Sequence, residues 1–159
     1  MTPARWAVAG SLVLVGLGVA FSAGPYLRAD RMLAAAVVPP GSIKAAILPG
    51  SVFSQPSEGM ACTSVIDQTL YWMVPGDPQD IAAFLRAHPP PGIPYSSTGW
   101  LGTGGGQTIS YDVLDRERGN SGGFPAQLDF TVAALGPGMA GIRADAEVVG
   151  PSATCSRSG

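Results

Sequence analysis

Two carboxylates and an amide–carboxylate couple are the first side chains in this sequence placed where chemistry could follow. The segments Gln127–Ala134 and Ile142–Val148 each alternate apolar and polar residues with period two, and Gly136-Pro137-Gly138 lies between them. That pattern predicts a hairpin. With the turn at its centre, Asp129 stands opposite Asp145, and Gln127 opposite Glu147. Like charges directly opposed are destabilising. Three outcomes are open: Arg143 relieves them from the diagonal, they hold a cation or a substrate, or they work as an acid–base pair. A polar sheet face of this composition is ordinarily solvated, and that is the simpler expectation.

The remaining candidates are few. His88 is the single histidine, and Cys62 and Cys155 are the only cysteines. One histidine and two distant cysteines do not make a metal set, so no metal and no cofactor is expected. An even cysteine count in an exported chain suggests a Cys62–Cys155 disulfide. It would close a loop of about 90 residues and stabilise by about 4–5 kcal/mol in the chain-entropy account. Gly119-Asn120-Ser121-Gly122-Gly123 resembles the nucleophile loop of trypsin-like serine proteases. The resemblance implies Ser121 as nucleophile and His88 as its base. The context departs from that family: His88 is close to Ser121 in sequence and ends a helix, and Phe124 stands where a proline is expected. A hairpin loop from Asp115 to Pro125 is the plainer reading. Gly102 to Gly106 lacks the Lys-Ser/Thr and the helix of a phosphate loop, and reads as a linker or hairpin loop.

These residues need elements to carry them. Leu27 to Val38 reads as a helix stopped by Pro39-Pro40-Gly41, and Ile43 to Leu48 as a strand. Ser51 to Met60 is polar and turn-rich and reads as a loop. Thr69 to Val74 reads as a strand with Leu70, Trp72 and Val74 on one face. Asp77 as N-cap, Pro78 at the first helical position and Asp80 in the first turn announce a helix that puts Ile81, Phe84, Leu85 and His88 on one face. Pro89-Pro90-Pro91 ends it. Trp100 falls in the Gly-rich stretch that follows, as a loop residue able to anchor a partner, and Ile109 to Val113 reads as another strand. The fold class expected is α+β: an antiparallel sheet of four to five strands with one packed helix, preceded by an N-terminal transmembrane or signal helix.

Composition agrees with export. Hydrophobic residues make up 46% and charged ones 13%, with 22 glycines and 15 prolines, so long loops are expected around a modest core. The net charge is −2 and Lys44 is the only lysine, which excludes a nucleic-acid partner for want of a basic face. Trp6 to Ala23 carries no charge, follows Arg5 and precedes Pro25, Arg28, Asp30 and Arg31. As a helix it would span roughly 27 Å. An uncleaved anchor and a cleaved signal with Ala20-Phe21-Ser22 as its site both fit. The organisation expected is an anchor or signal over 1–25, a helical connector over 26–41, an extracytoplasmic domain over 42–150 and a flexible tail over 151–159. The amino terminus is expected inside, with the chain single-pass in the cell membrane or else secreted.

The phrases Val38-Pro39-Pro40-Gly41, Trp72-Met73-Val74-Pro75-Gly76, Phe84-Leu85-Arg86-Ala87-His88-Pro89-Pro90 and Gly141-Ile142-Arg143-Ala144-Asp145-Ala146-Glu147-Val148-Val149 together resemble uncharacterised exported or membrane-anchored small-domain proteins of high-GC Gram-positive bacteria. The resemblance covers about Val38 to Val149 and implies export and one domain, with no activity attached. The function expected is a non-catalytic binding or interaction domain held at the membrane, with an envelope protein as possible partner. The alternative is a small cell-envelope hydrolase using Ser121 with His88, or Asp129 with Asp145.

Overall fold

The computed structural model describes residues 24–54, 62, 65–93, 95–101, 106–113 and 126–150. Six antiparallel strands form one sheet: β1 (Ile43–Ala45), β2 (Val65–Pro75), β3 (Tyr95–Leu101), β4 (Gly106–Val113), β5 (Ala126–Gly136) and β6 (Met139–Val149). Their spatial order is β1-β2-β6-β5-β4-β3. The described part of helix α1 covers residues 24–34, α2 is Ser51–Ser54 and α3 is Pro78–Ala87. The fold is α+β, and its sheet exceeds the expected four to five strands by β3. That strand, which includes Trp100, runs through the stretch expected as a loop. Gly99 and the two serines weaken its β signal, but pairing with β4 completes it.

The longest strands lie at the middle of the sheet. β2 pairs with β6 from Val65–Val149 to Pro75–Met139, and β5 pairs with β6 from Ala126–Val148 to Gly136–Met139. The β5–β6 turn is Pro137-Gly138, with Gly138 at φ 68°, a left-handed conformation that glycine adopts without the cost of a Cβ. Register is fixed here by a two-residue turn, so the face of every side chain along both strands follows from it.

One face of the sheet is apolar. Trp72 and Val74 of β2, Leu128, Phe130 and Val132 of β5, and Ile142, Ala144, Ala146 and Val148 of β6 are buried on it. Small alanines on β6 let two helices approach, not the single helix expected. α3 contributes Ile81, Ala82 and Leu85, and α1 contributes Ala29, Met32 and Leu33 to the same core. The helix expected as a connector is therefore packed on the domain. Pro25 lies in the described part of α1 and is buried. Residues 1–23, which carry the expected anchor or signal, lie outside the described residues, and no described helix is long and apolar enough to cross a membrane.

α3 starts as its sequence predicts. Asp77 Oδ1 accepts from the Gln79 backbone N–H at 2.8 Å, Pro78 occupies the first turn and Asp80 adds charge there. Asp77→Ala is expected to lower stability by about 1 kcal/mol, since it strands a helix-end donor; thermal denaturation of the variant against the parent chain checks this.

Candidate functional site

The second face of the sheet carries the polar residues. Directly paired positions share a face, so three rows run across it. Asp67, Glu147 and Gln127 form the first, with the Asp112 position next in register. Thr69, Asp145 and Asp129 form the second, with Ser110 next. Tyr71, Arg143 and Thr131 form the third, with Thr108 next. The pairing of Asp129 with Asp145, and of Gln127 with Glu147, is the one the turn predicts.

The environment of these rows is not the one predicted. The face expected to be wet is enclosed: Asp145 is 0% exposed, Asp129 2%, Glu147 and Thr131 5%, and Arg143 7%. Part of the cover comes from the segment expected as a loop. α2 lays Phe53, with Leu48 before it, over the Arg143 end of the face, where they meet Ala133 and Tyr71. Gly141 makes this approach possible. A Cβ there would stand 2.7 Å from both Leu48 Cδ1 and Phe53 Cζ.

The buried charges are bound into a network. Arg143 Nε donates to Asp145 Oδ1 at 2.8 Å, Thr69 Oγ1 donates to the same oxygen at 2.7 Å, and an Arg143 terminal N–H donates to the Phe53 carbonyl at 3.1 Å. Gln127 Nε2 donates to Asp129 Oδ2 at 2.8 Å. Relief thus reaches Asp145 from its own strand, two residues away, and not only across the ladder. The opposite oxygen of Asp145, Oδ2, is buried and accepts no hydrogen bond among the described residues; Asp129, served at Oδ2 by Gln127, likewise keeps Oδ1 outside any such bond. Directly opposed residues have Cβ atoms about 5 Å apart, and two unit charges at that separation repel by about 3 kcal/mol at an effective dielectric of about 20.

This arrangement shifts protonation. Burial pushes the Asp145 carboxyl above the usual aspartate range, against the hydrogen bond from Thr69 and the charge of Arg143, which hold it down, while Glu147 adds a further push upward. Asp67, exposed at the rim, is also raised, first by desolvation of its position and then by Asp145 and Glu147, with Arg143 opposing. Among the described residues no group of three or more His, Cys, Asp or Glu side chains is arranged to hold a metal ion. Asp145 thus sits as a buried carboxyl biased toward its protonated form.

The other candidates lie elsewhere. His88 is exposed and caps α3: its Nδ1–H donates to the Phe84 carbonyl at 2.8 Å, and its ring stacks on Phe84 with centroids 4.0 Å apart. His88 stays exposed where Ile81 and Leu85 are buried. Ser121, the Asp115–Pro125 loop and Cys155 lie outside the described residues. Cys62 is half-buried and is not a free thiol.

One open feature was missed from the sequence. A groove of about 460 Å³ lies between α1 and the sheet edge, lined by Asp30, Leu33, Ala34, Lys44, Gln68 and Leu70 among others. β1 is only three residues long and pairs with β2 solely at Tyr71, Trp72 and Met73. The short strand is what leaves the groove uncovered, and its length was not legible from Ile43–Leu48. Comparison of the chain with protein-family models, with curated proteins and with solved structures returns no match.

Proposed function

We propose that this chain is an extracytoplasmic binding domain, held at the cell membrane by its N-terminal apolar segment, with no catalysis of its own. The observation that carries the reading is a contrast in exposure. The acid–base groups Asp129, Asp145 and Glu147 are enclosed, whereas the groove at Lys44 and Asp30 is open. A concave site with a few polar groups among apolar ones suits recognition of a partner's side chain or a small polar ligand. Opposite charges at Asp30 and Lys44 would orient it. An envelope protein is the partner class that fits a domain held beside the membrane. A Cys62–Cys155 disulfide belongs to the same proposal, tying the tail back to the domain in an oxidising compartment.

The test uses the full chain in its own cells, with a photoreactive residue at Ala34 in the groove and a control at exposed Gln79 on α3. The expected result is a discrete crosslinked species from Ala34, absent from Gln79, that sediments with membranes. Equal or absent crosslinking at the two positions, with the chain in the soluble fraction, would contradict both the binding site and the anchoring.

A further inference from the structure

We propose that the outer edge of β2, from Val65 to Leu70, is the docking site of an extended segment of a partner protein, which enters the open groove and adds to the sheet as a further strand. The inference rests on the binding reading above and names the partner's form: a strand with apolar residues toward α1 and a basic residue beside Asp67.

The edge is open because of where β1 ends. β1 is β2's neighbour on that side and pairs with it at Tyr71, Trp72 and Met73. Continued in the same register, Ala46, Ile47 and Leu48 would lie beside Leu70, Thr69 and Gln68. The chain turns away instead, and Leu48 is buried with Phe53 and Ala133 over the other face. From Val65 to Leu70, β2 therefore pairs with β6 on one side and with no described strand on the other. Alternate residues of an antiparallel strand aim both N–H and C=O at the same neighbour, so every second residue here offers both groups outward. Such an edge is normally blunted by a lysine, a proline or a bulge. The sequence Val-Ile-Asp-Gln-Thr-Leu holds neither Lys nor Pro, and β2 pairs with β6 without a register shift. β3, at the far edge of the sheet, is by contrast broken by a bulge between Tyr95 and Ser97.

The groove lies along this edge. Gln68 and Leu70 line it from β2, Leu33 and Ala34 from α1, and Lys44 from β1. Thr69 lines it too, although its hydroxyl bonds Asp145 on the other face, so the cavity reaches the edge of the strand itself. An added strand turns alternate side chains to the two faces. Those on the α1 side meet Leu33 and Leu70, which are apolar. Those on the other side meet Asp67, an exposed carboxyl, where an opposite charge on the neighbouring strand is favourable. A lone extended segment fits the groove better than a second copy does. In antiparallel pairing, the β2 of a second copy would bring its own α1, packed on the same face, against the groove's wall.

The test uses the full chain in its own cells, with photoreactive residues placed one at a time at Val65, Asp67, Gln68 and Ala34, and the crosslinked peptides sequenced by mass spectrometry. The expected result is one partner segment captured in register. Val65 and Asp67 label residues two apart in it, and Gln68 labels the neighbour of the residue that Asp67 labels. Asp67→Lys, carried with the photoreactive residue at Ala34, should cut that crosslink about fivefold through charge repulsion across the pair, and Gln79→Lys on exposed α3 should leave it unchanged. No crosslink at Ala34 would contradict the binding reading itself and this inference with it. A crosslink at Ala34 with none at Val65 and Asp67, or labelling without a fixed register, would overturn strand addition and leave the groove as a binding site. Capture of β2 from a second copy, or of another segment of the same chain, would overturn the partner assigned here. An undiminished yield in Asp67→Lys would overturn its basic residue.

Discussion

Arg143→Met should lower the stability of the domain by about 3–5 kcal/mol at neutral pH, the range found when one partner of a buried ion pair is removed. The Arg143 side chain is 8% exposed, and its guanidinium bonds both Asp145 and the Phe53 carbonyl. Without it, the buried Asp145 loses its paired cation, and the main-chain oxygen of α2 loses its donor. The loss should shrink as pH falls, because protonation of Asp145, already favoured by burial, removes the stranded charge. The double variant Arg143→Met with Asp145→Asn should recover a measurable part of the loss, since the two residues are in contact and their effects couple. Chemical denaturation of the single and double variants at neutral and mildly acid pH reads both effects. Equal losses at the two pH values, with no recovery in the double variant, would show that Arg143 acts only by its bulk.

Phe53→Ala should cost about 3 kcal/mol or more, the usual scale for a buried aromatic truncated to a methyl. Phe53 is 3% exposed and sits on the one place in β6 without a side chain. The pairing of a large residue with Gly141 gives the prediction a second arm. Gly141→Ala in the parent chain should cost about 1–3 kcal/mol through overpacking, because its Cβ would press on the Phe53 ring and on Leu48 Cδ1 at 2.7 Å. In the Phe53→Ala chain the same Gly141→Ala change should cost little, as the space is vacated. Thermal or chemical denaturation of the four chains checks this. Additive costs would mean that Phe53 does not cover Gly141.

Much of the central sheet was legible from local rules. Asp77 and Pro78 announced α3, and alternation marked β2, β4, β5 and β6. The Pro137-Gly138 turn set the register that pairs Asp129 with Asp145. What alternation does not reveal is whether the polar face meets water. A strand with Arg143, Asp145 and Glu147 on one side reads the same in either case, and the cover comes from residues distant in sequence. Leu48 and Phe53 lie in a turn-rich stretch whose helix, α2, is a single turn, too short to leave a periodic signal. β3 escaped for a related reason: Ser96, Ser97 and Gly99 carry little strand propensity, and the neighbour β4 supplies what they lack. The helix expected over Leu27 to Val38 includes Pro25 in its described part, residues 24–34. Of the candidate site, the facing carboxylates were read correctly in position and wrongly in surroundings. His88 was read as the residue that ends the helix, and it caps α3.

The central claim is that the carboxyls of Asp129, Asp145 and Glu147 are enclosed by the fold. Carbodiimide-driven amidation of carboxyl groups in the folded full chain, read residue by residue by mass spectrometry, tests it directly. Asp77 and Asp80 are exposed on α3 and serve as internal references. The account predicts that they label readily while Asp129, Asp145 and Glu147 stay unmodified until the chain is unfolded. Labelling of Asp129 and Asp145 in the native chain at the rate of Asp77 and Asp80 would contradict it, and would return the paired carboxylates to consideration as an open acid–base site.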